Sequence, residues 1–293
     1  MLQILLGSRV PFMRYRRYAY VFSIALILAG AASVLMKGGF RLGVDFAGGI
    51  LVEYRFDRSI AADELRQALA AGEWGGEAEI QASEEGRLFL IRIPSAEVRI
   101  AGEEAPSETI LALVQDRFPG IEADLLREEM VGPRVGRELQ SKAFWAVLVA
   151  LIGILLYVGI RYEFKFALGG VAALTHDVLV VLSFLSFTNK EISIPVIAAL
   201  LTVGGYSIND TIVVFDRIRE RLKGSGRPLD PQLTDLSVNQ TLSRTIITAL
   251  TLIFTIEALL FMGGQVIHDF AFAMLVGVAI GTYSSIYIAS ALA

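Results

Sequence analysis

Hydrophobic positions along the chain are concentrated in long apolar runs, which polar segments separate. Six of them reach the roughly 20 residues that a helix needs to cross a lipid bilayer. They are Tyr18–Met36, Ala143–Ile160, Phe166–Phe187, Ile194–Phe215, Thr245–Met262 and Ala271–Ala291. The pattern predicts a membrane all-α protein with six transmembrane helices, in which a block at 38–142 separates the first helix from the other five in 143–293.

The block at 38–142 has the mixed pattern of an independently folding α+β domain. The first predicted elements are a strand at Ile50–Phe56 and a helix that is capped by Ser59 and runs to Ala71. Strands at Glu79–Ser83 and Arg87–Ile93 follow, joined by a turn at 84–86. A helix capped by Ser107 then runs to about Phe118, and a strand at Ile121–Met130 comes last. The alternation in the first strand predicts that it is half-buried. The order β-α-β-β-α-β predicts a ferredoxin-like fold.

Basic residues predict the orientation, because short cytoplasmic segments are enriched in Lys and Arg. They cluster at Arg9, Arg14, Arg16 and Arg17 before the first span, at Arg161 and Lys165 after the second, and at Arg217, Arg219, Arg221, Lys223, Arg227 and Arg244 after the fourth. The opposite side has only Lys190 in its short loops. We therefore expect a cytoplasmic N-terminus within 1–37, a cytoplasmic basic loop at 216–244 and an extracytoplasmic α+β domain.

The ends of the chain give two further expectations. A basic start, an apolar core and the small residues around Gly30 resemble a signal peptide, but the run is long enough to stay as an anchor and five more spans follow it. The last apolar run ends at Ala291, two residues before the end of the sequence at Ala293. We expect that a short cytoplasmic tail follows in the complete protein.

Composition narrows the function. The chain is 54% hydrophobic with a formal charge of −4, and the stretch 41–130 carries a net −10, so the remainder carries +6. The absence of cysteine excludes disulfides and thiol catalysis, and two histidines are too few for a His-rich metal site. We expect no cofactor, no nucleic acid and no catalysis, since no nucleotide-binding loop, metal cluster or nucleophilic triad is present. Energy would come from a membrane gradient or a partner.

Asp210 lies inside the fourth apolar run, within a polar cluster at 204–211. A charged side chain at a helix centre costs about 2.5–3.5 kcal/mol on insertion scales, so such residues usually face a bundle interior and serve a function. The fifth span offers a partner. Arg244 lies on one helical face with Thr241, Thr248, Thr251 and Thr255, and at about the membrane depth of Asp210. A carboxylate–guanidinium pair lining a hydrated crevice is one interpretation.

A structural interpretation of the same residues remains open. Polar side chains also hold transmembrane helices together, and threonines often bond back to their own helix. Arg244 could extend to the lipid headgroups as one more cytoplasmic charge.

Other polar residues in the spans are His176 and Asp177 in the third, Asn209 in the fourth and Glu257 in the fifth. Adjacent helical residues point about 100° apart, so His176 and Asp177 are not predicted to pair with each other. Either could join a proton path or make a structural hydrogen bond. Glu257 is expected to extend to the interface or to contact a partner, and His268 and Asp269 in the outer loop are given no role.

Small residues recur every four positions in the sixth span, at Ala273, Gly277, Gly281, Ser285 and Ala289. This spacing predicts a close helix-packing surface, and Gly169 and Ala173 begin a similar edge in the third span.

Several segments together resemble one family. Residues 43–49 (GVDFAGG) open the α+β block and residues 131–139 (VGPRVGREL) close it. Residues 161–164 (RYEF) precede the third span, which holds 173–177 (ALTHD), and residues 206–219 (YSINDTIVVFDRIR) complete the set. The chain is similar to the SecF branch of the SecD/SecF family, within the RND superfamily of transporters.

The resemblance implies an auxiliary subunit of bacterial protein export in the cytoplasmic membrane. It implies SecD as the partner half, the SecYEG translocon, YajC and a translocating preprotein as further partners, and the proton-motive force as the energy source. It also implies a proton relay through Asp210 and Arg244, with another carboxylate supplied by SecD. His176, Asp177 and Asn209 are candidates for a secondary relay.

Two other functions fit the same residues. A structural subunit could scaffold the assembly while the partner half conducts protons. A small-molecule exporter of the RND type fits less well, because such exporters have larger outer domains and twelve spans in one chain.

Overall fold

The structure is a computed structural model that describes residues 9–70, 78–83, 86–94, 105–162, 164–225 and 230–292. The chain divides into two compact units. One, the helical unit, comprises Met1–Arg41 and Ala143–Ala293, and the other, the α+β unit, comprises Leu42–Lys142.

Long helices build the helical unit. They are α1 (Phe12–Met36), α5 (Pro133–Arg161), which begins in the α+β unit, α6 (Phe164–Phe187), α7 (Ile194–Ser225), α8 (Pro231–Met262) and α9 (Gly264–Ser284), followed by a π-helical segment (Ser285–Ala289) and a short α10 (Ser290–Leu292). Within the described residues, six helices are long and apolar enough to cross a membrane. Each predicted apolar run therefore lies in a helix of its own.

The basic segment at 216–244 is largely helical, so its prediction as a loop was wrong. The helix α7 continues through Ser225 and α8 begins at Pro231, where Asp230 caps it by accepting a hydrogen bond from the Leu233 amide at 2.7 Å. Both helices continue well past the end of their apolar runs. The apolar run marks the part that matches the bilayer and does not mark where a helix ends.

The first helix is an integral part of the bundle. A side chain at Gly30 would meet the Ser183 hydroxyl of α6 at 1.9 Å, so α1 and α6 cross with their backbones close together. Ser33 and Ser186 hydrogen bond across the same crossing at 2.8 Å. These contacts show that the small residues resembling a signal-peptide cleavage site serve helix packing here.

The helix α9 crosses α7 at the predicted small-residue surface. A Cβ added to Gly277 would lie 2.3 Å from the Val203 side chain, and one added to Gly281 would lie 3.1 Å from Ser207. Ala273 and Ala289 are fully buried. The absence of side chains at these glycines therefore lets short polar side chains on α9 and α7 reach across the interface.

The α+β unit has the predicted ferredoxin-like order. Its elements are a helical turn α2 (Val44–Ala47), β1 (Gly49–Phe56), α3 (Ala62–Ala70), β2 (Glu79–Ser83), β3 (Leu88–Pro94), α4 (Pro106–Arg117) and β4 (Ala123–Val131). In the described part of this unit, the strands form one antiparallel sheet in the order β2-β3-β1-β4. The predicted turn at 84–86 is described only at Gly86.

The first strand is more buried than predicted. Ile50, Val52 and Phe56 face the apolar core as expected, but Leu51 and Glu53 on the opposite face are buried as well. The strand β1 lies between β3 and β4, and the helical turn α2 contacts all three strands, so side chains of β1 are shielded beyond those that face the core.

Tyr54 completes the core of the α+β unit, and its hydroxyl donates to the Ser107 carbonyl at 2.5 Å. Burial raises the pKa of Tyr54 to about 12, and the Glu128 carboxylate adds to this effect.

Neither predicted serine cap is present in the α+β unit. The helix α3 begins at Ala62, three residues beyond Ser59. The helix α4 begins at Pro106, which suits the first helical position because it has no amide hydrogen to leave unpaired. Ser107 therefore lies inside the helix, where its hydroxyl donates to Glu128 at 2.8 Å.

The segments that open and close the α+β unit pack against each other. Gly48 and Gly49 have φ angles of 75° and 124°, which L side chains rarely adopt, and they end α2 and start β1. A Cβ on Gly136 of α5 would lie 2.7 Å from the Phe46 carbonyl, which also accepts from Gln140 at 2.8 Å.

We predict that Gly277→Ala destabilises the helical unit, because its methyl group would overlap Val203. Overpacking of this kind costs about 1–3 kcal/mol. Gly153→Ala is the matched control, since nothing lies within 4 Å of an added Cβ there. Thermal unfolding of the purified chain in detergent should show a lower midpoint for Gly277→Ala alone. Equal midpoints would contradict the close crossing of α7 and α9.

Candidate functional site

Asp210 lies on α7 inside the bundle, with 5% of its surface exposed. Its Oδ1 accepts a hydrogen bond from the Thr245 hydroxyl of α8 at 2.6 Å. Its Oδ2 accepts one from the Ser285 hydroxyl at 2.9 Å, at the start of the π-helical segment. Three elements of the bundle therefore meet at this carboxylate, and both of its oxygens have a donor.

Arg244 lies at the same level but does not form an ion pair with Asp210. Thr245 follows Arg244 directly, so the contact between Thr245 and Asp210 puts Arg244 close to the level of Asp210 along the bundle. The Arg244 guanidinium is exposed. Among the described residues, no carboxylate oxygen lies within 4.0 Å of it, which is the distance of an ion pair. The guanidinium is close enough for a through-space electrostatic interaction with Asp210.

The threonines that share the face of Arg244 bond to their own helix. Thr248 donates to the Arg244 carbonyl at 3.0 Å, Thr251 to the Ile247 carbonyl at 2.8 Å and Thr255 to the Thr251 carbonyl at 3.1 Å. Each of these three is exposed on the isolated chain, whereas Thr241 is buried. Thr248, Thr251 and Thr255 therefore supply no donor to Asp210. They bond to their own helix, as in the structural interpretation that the sequence left open.

A second buried carboxylate, Asp177 of α6, lies beside His176. The two residues pair, with Nδ1 of His176 3.0 Å from Oδ1 of Asp177. The prediction that they would not pair was wrong, because Nδ1 is close to the helix backbone and the two side chains together bridge the 100° between them. Asp177 also accepts from Ser207 of α7 at 2.6 Å and from Ser284 of α9 at 2.9 Å.

The His176–Asp177 pair extends to the first helix. His176 Nε2 lies 2.9 Å from the Ser23 hydroxyl of α1, and Ser23 lies 3.1 Å from the Tyr283 hydroxyl. Tyr283 donates to the Ala19 carbonyl of α1 at 2.9 Å. Helices α1, α6, α7 and α9 are thus joined by one set of buried polar contacts.

Two adjacent serines connect the carboxylates. Ser284 donates to Asp177 and Ser285 donates to Asp210. The π-helical segment begins at Ser285, and such segments occur frequently at functional sites. Ser285 has a second acceptor, the Thr282 carbonyl at 2.9 Å, so its hydroxyl can satisfy either partner.

The remaining predicted residues lie away from these contacts. Asn209 is exposed on α7 and Glu257 is half-buried on α8; the described residues give neither side chain a hydrogen bond. His268 and Asp269 belong to α9 and not to a loop. Lys190 bridges them at 2.9 Å and 2.8 Å. In the part of the chain that the structure describes, no three His, Asp or Glu side chains converge to hold a metal.

Sequence reasoning missed the donors to both carboxylates. Thr245 was the boundary of the fifth apolar run, and Ser285 was counted only as a small packing residue. A signal was present in both cases, because a polar hydroxyl on the buried face of an apolar helix needs a partner. Ser23, Ser207 and Ser284 could have been found in the same way.

One surface beside Asp210 is poorly suited to lipid. Exposed small and polar residues follow one side of α7, and the Arg244 stripe follows the adjoining side of α8. The residues are Ala198, Thr202, Gly205 and Asn209 on α7 and Arg244, Thr248, Thr251 and Thr255 on α8. We call this surface the polar face.

Comparisons with known proteins identify close relatives. Residues 112–293 match the family described as protein export membrane protein SecD/SecF, C-terminal, and residues 34–60 match the SecD/SecF GG motif. Protein translocase subunit SecF of Vibrio alginolyticus is 43% identical, over 100% of this chain and 92% of that protein. Protein translocase subunit SecF of Desulfurispirillum indicum is 42% identical, over 97% and 90%.

A solved structure is also similar. The crystal structure of SecDF, a translocon-associated membrane protein from Thermus thermophilus, superposes with a TM-score of 0.85 at 42% identity. The match covers 98% of this chain and 38% of that longer chain.

We predict that Thr245→Val destabilises the bundle, because it leaves a buried carboxylate oxygen without its donor. A hydrogen bond to a charged group contributes about 1.5–3 kcal/mol. Thr251→Val is the control, since that hydroxyl is exposed and bonds only to its own helix. Thermal unfolding in detergent at neutral pH should separate the two variants, and similar midpoints would show that Thr245 does not stabilise Asp210.

Proposed function

Since the chain belongs to the SecD/SecF protein-export family, we propose that it is a proton-coupled auxiliary subunit of the bacterial Sec machinery. With a SecD partner, it would use the proton-motive force to promote the translocation of preproteins. It would act by changing conformation and not by catalysing a reaction on a substrate. The observation that carries this proposal is Asp210, a carboxylate held between three elements of a membrane bundle without an ion-pair partner among the described residues.

The hydrogen bonds of Asp210 support a change of protonation. An ionised carboxylate is stabilised by the Thr245 and Ser285 hydroxyls, which fill one acceptor position on each oxygen. A neutral carboxyl avoids the cost of a buried charge, and Ser285 can then turn to the Thr282 carbonyl. Both protonation states therefore satisfy the hydrogen bonds of the site, and the change between them redirects the hydroxyl of Ser285 in the π-helical segment.

Arg244 supports the relay through its position. A cation near a buried carboxylate favours the ionised form. Because Arg244 is exposed beside Asp210 and not paired with it, a small movement of α8 or of a neighbouring helix would change their separation. Each proton crossing the membrane supplies about 2.3 kcal/mol per 100 mV, so a few protons suffice to drive a conformational change.

The polar face supports a partner in the membrane. Threonine, asparagine and arginine side chains are costly against lipid, and small residues allow another helix to approach closely. Relatives include a protein in which this chain's counterpart is part of a longer SecDF polypeptide. We therefore propose that SecD covers the polar face and completes the site around Asp210.

The wider assembly follows from the family. The Thermus thermophilus relative is described as translocon-associated, which supports a place beside SecYEG, with YajC and the translocating preprotein as further partners. The distribution of basic residues supports a cytoplasmic N-terminus and an α+β unit outside the cytoplasmic membrane. The candidates for a secondary relay remain His176, Asp177 and Asn209. Of these, His176 and Asp177 contact each other, whereas Asn209 lies exposed on α7.

A scaffold without its own proton path is the second candidate function. The observation that favours it is the bonding of Thr248, Thr251 and Thr255 to their own helix, which is the behaviour of structural threonines. In that case Asp210 would serve only to hold α7, α8 and α9 together.

Asp210→Asn separates the two candidates. The amide keeps the shape of the carboxyl group but does not ionise, so it cannot take up and release a proton. Stimulation of preprotein translocation by a proton gradient should therefore fall to the level measured without a gradient. Translocation is measured in vesicles that carry the chain, its SecD partner and SecYEG, with co-purification as the test of assembly. Glu220→Gln, an exposed change on the same helix, is the control. Full stimulation in an intact Asp210→Asn complex would contradict the relay.

Orientation is tested with single cysteines, because the chain contains none. We expect a membrane-impermeant maleimide to label Arg66→Cys, on the exposed side of α3, in spheroplasts. Lys223→Cys, exposed near the end of α7, should react only after permeabilisation. The reverse pattern would overturn the proposed orientation.

A further inference from the structure

The His176–Asp177 pair is a second buried ionisable site, and the positions of its protons follow from its contacts. Each hydroxyl in the set has one proton to donate, and each neutral imidazole has one. Four contacts form a series from Asp177 to α1: Asp177 to His176, His176 to Ser23, Ser23 to Tyr283, and Tyr283 to the Ala19 carbonyl. A carbonyl can only accept.

The Ala19 carbonyl fixes the direction of the hydrogen bonds that follow it. The single hydroxyl proton of Tyr283 goes to Ala19, so the proton between Tyr283 and Ser23 must come from Ser23. Ser23 then has none left for His176, and the contact at 2.9 Å needs a proton on Nε2 of the ring. The contact between Nδ1 and Asp177 at 3.0 Å needs one more proton.

We infer that the His176–Asp177 pair is a proton-binding site and that it holds this extra proton in the observed arrangement. The proton is shared as imidazolium and carboxylate or as imidazole and carboxylic acid, which are two forms of the same charge state. All four contacts are satisfied in that state. The pair thus stores a proton within this chain alone, at a site separate from Asp210.

Release of the proton has a defined consequence. A neutral ring must keep its hydrogen on Nδ1 to bond the Asp177 carboxylate, so Nε2 becomes an acceptor. Ser23 then turns its hydroxyl proton to Nε2, and the contact between Ser23 and Tyr283 is left with no proton. Release therefore breaks a bond between α1 and α9, and α1 is the helix after which the chain enters the α+β unit.

The surroundings of the pair link it to Asp210. Asp177 accepts from Ser207, one turn before Asp210, and from Ser284, next to Ser285. Among the elements packed against the pair, α9 contributes the ionisable Tyr283, with Tyr287 of the π-helical segment 5.3 Å from it between ring centroids. The helix α7 contributes Asp210 one turn beyond Ser207, and α1 contributes the neutral Ser23. A change of charge at either carboxylate therefore alters the serines that hold the other. The effect on transport, though not the proton itself, rests on the proposed function.

Nitrogen-15 spectroscopy of the imidazole rings tests the inference directly. The chain has two histidines, so 15N-histidine labelling gives two rings, and His268→Gln leaves only His176. The labelled chain is reconstituted in lipid with unlabelled SecD, and the protonated nitrogens are identified at neutral pH. We expect either an imidazolium, or a ring with its hydrogen on Nε2 beside an Asp177 carboxyl that 13C spectra show to be protonated, and either result supports a stored proton. A ring with its hydrogen on Nε2 beside an ionised Asp177 would overturn it.

A neutral ring with its hydrogen on Nδ1 at neutral pH would overturn the inference, because it corresponds to the pair without its proton. Asp177→Asn should give a neutral ring at the same pH, since the amide provides no charge to hold the proton. An imidazolium that survives this change would show that the pair is not the site.

The link to Asp210 is tested in the same spectra. Asp210→Asn should shift the pH at which the His176 signals change, whereas Glu220→Gln should leave it in place. An unchanged titration in Asp210→Asn would overturn the link. Because these spectra need no export activity, they stand apart from the translocation assay that decides the proposed function.

Discussion

The cost of burying a charge in a bilayer-length helix governs this bundle. Asp177 and Asp210 lie on neighbouring helices and are almost completely buried. Each needs donors that water would otherwise supply. The end of α9 and the π-helical segment that continues it supply them in consecutive positions, with Ser284 for one carboxylate and Ser285 for the other. The packing of α9 between α6 and α7 is therefore a condition for either acid to exist in the membrane.

Close packing makes those donors effective. Serine is short, so it reaches a carboxylate on another helix only if the backbones approach closely. Gly277 and Gly281 allow that approach, because a Cβ at either position would press on Val203 or Ser207. The small-residue surface and the polar site are thus one feature. A substitution that spread α7 and α9 apart would also separate Asp210 from Ser285.

Much of this architecture could be predicted from the sequence, because it depends on patterns within single segments. The six spans, the order of strands and helices in the α+β unit and the burial of Asp210 each follow from local hydrophobicity or from the cost of a buried charge. The contacts of Asp210 could not, since they depend on how helices rotate against each other. The spacing of polar residues on α8 points to the exposed face of Arg244, while Thr245, one residue on, donates the hydrogen bond to Asp210. The caps at Ser59 and Ser107 failed for a related reason, as the turns that precede these helices decide where they begin.

The two carboxylates differ in a way that suits different roles. Asp177 has an imidazole beside it and donors from α7 and α9, so its bonding is complete within this chain. Asp210 has two hydroxyl donors and borders the polar face, where Arg244 and Asn209 are exposed. A group at such a boundary responds to whatever covers it, whereas a closed site responds mainly to its own proton. Asp210 is therefore the carboxylate through which a partner subunit can act, and the His176–Asp177 pair is the one that can pass the change on to α1.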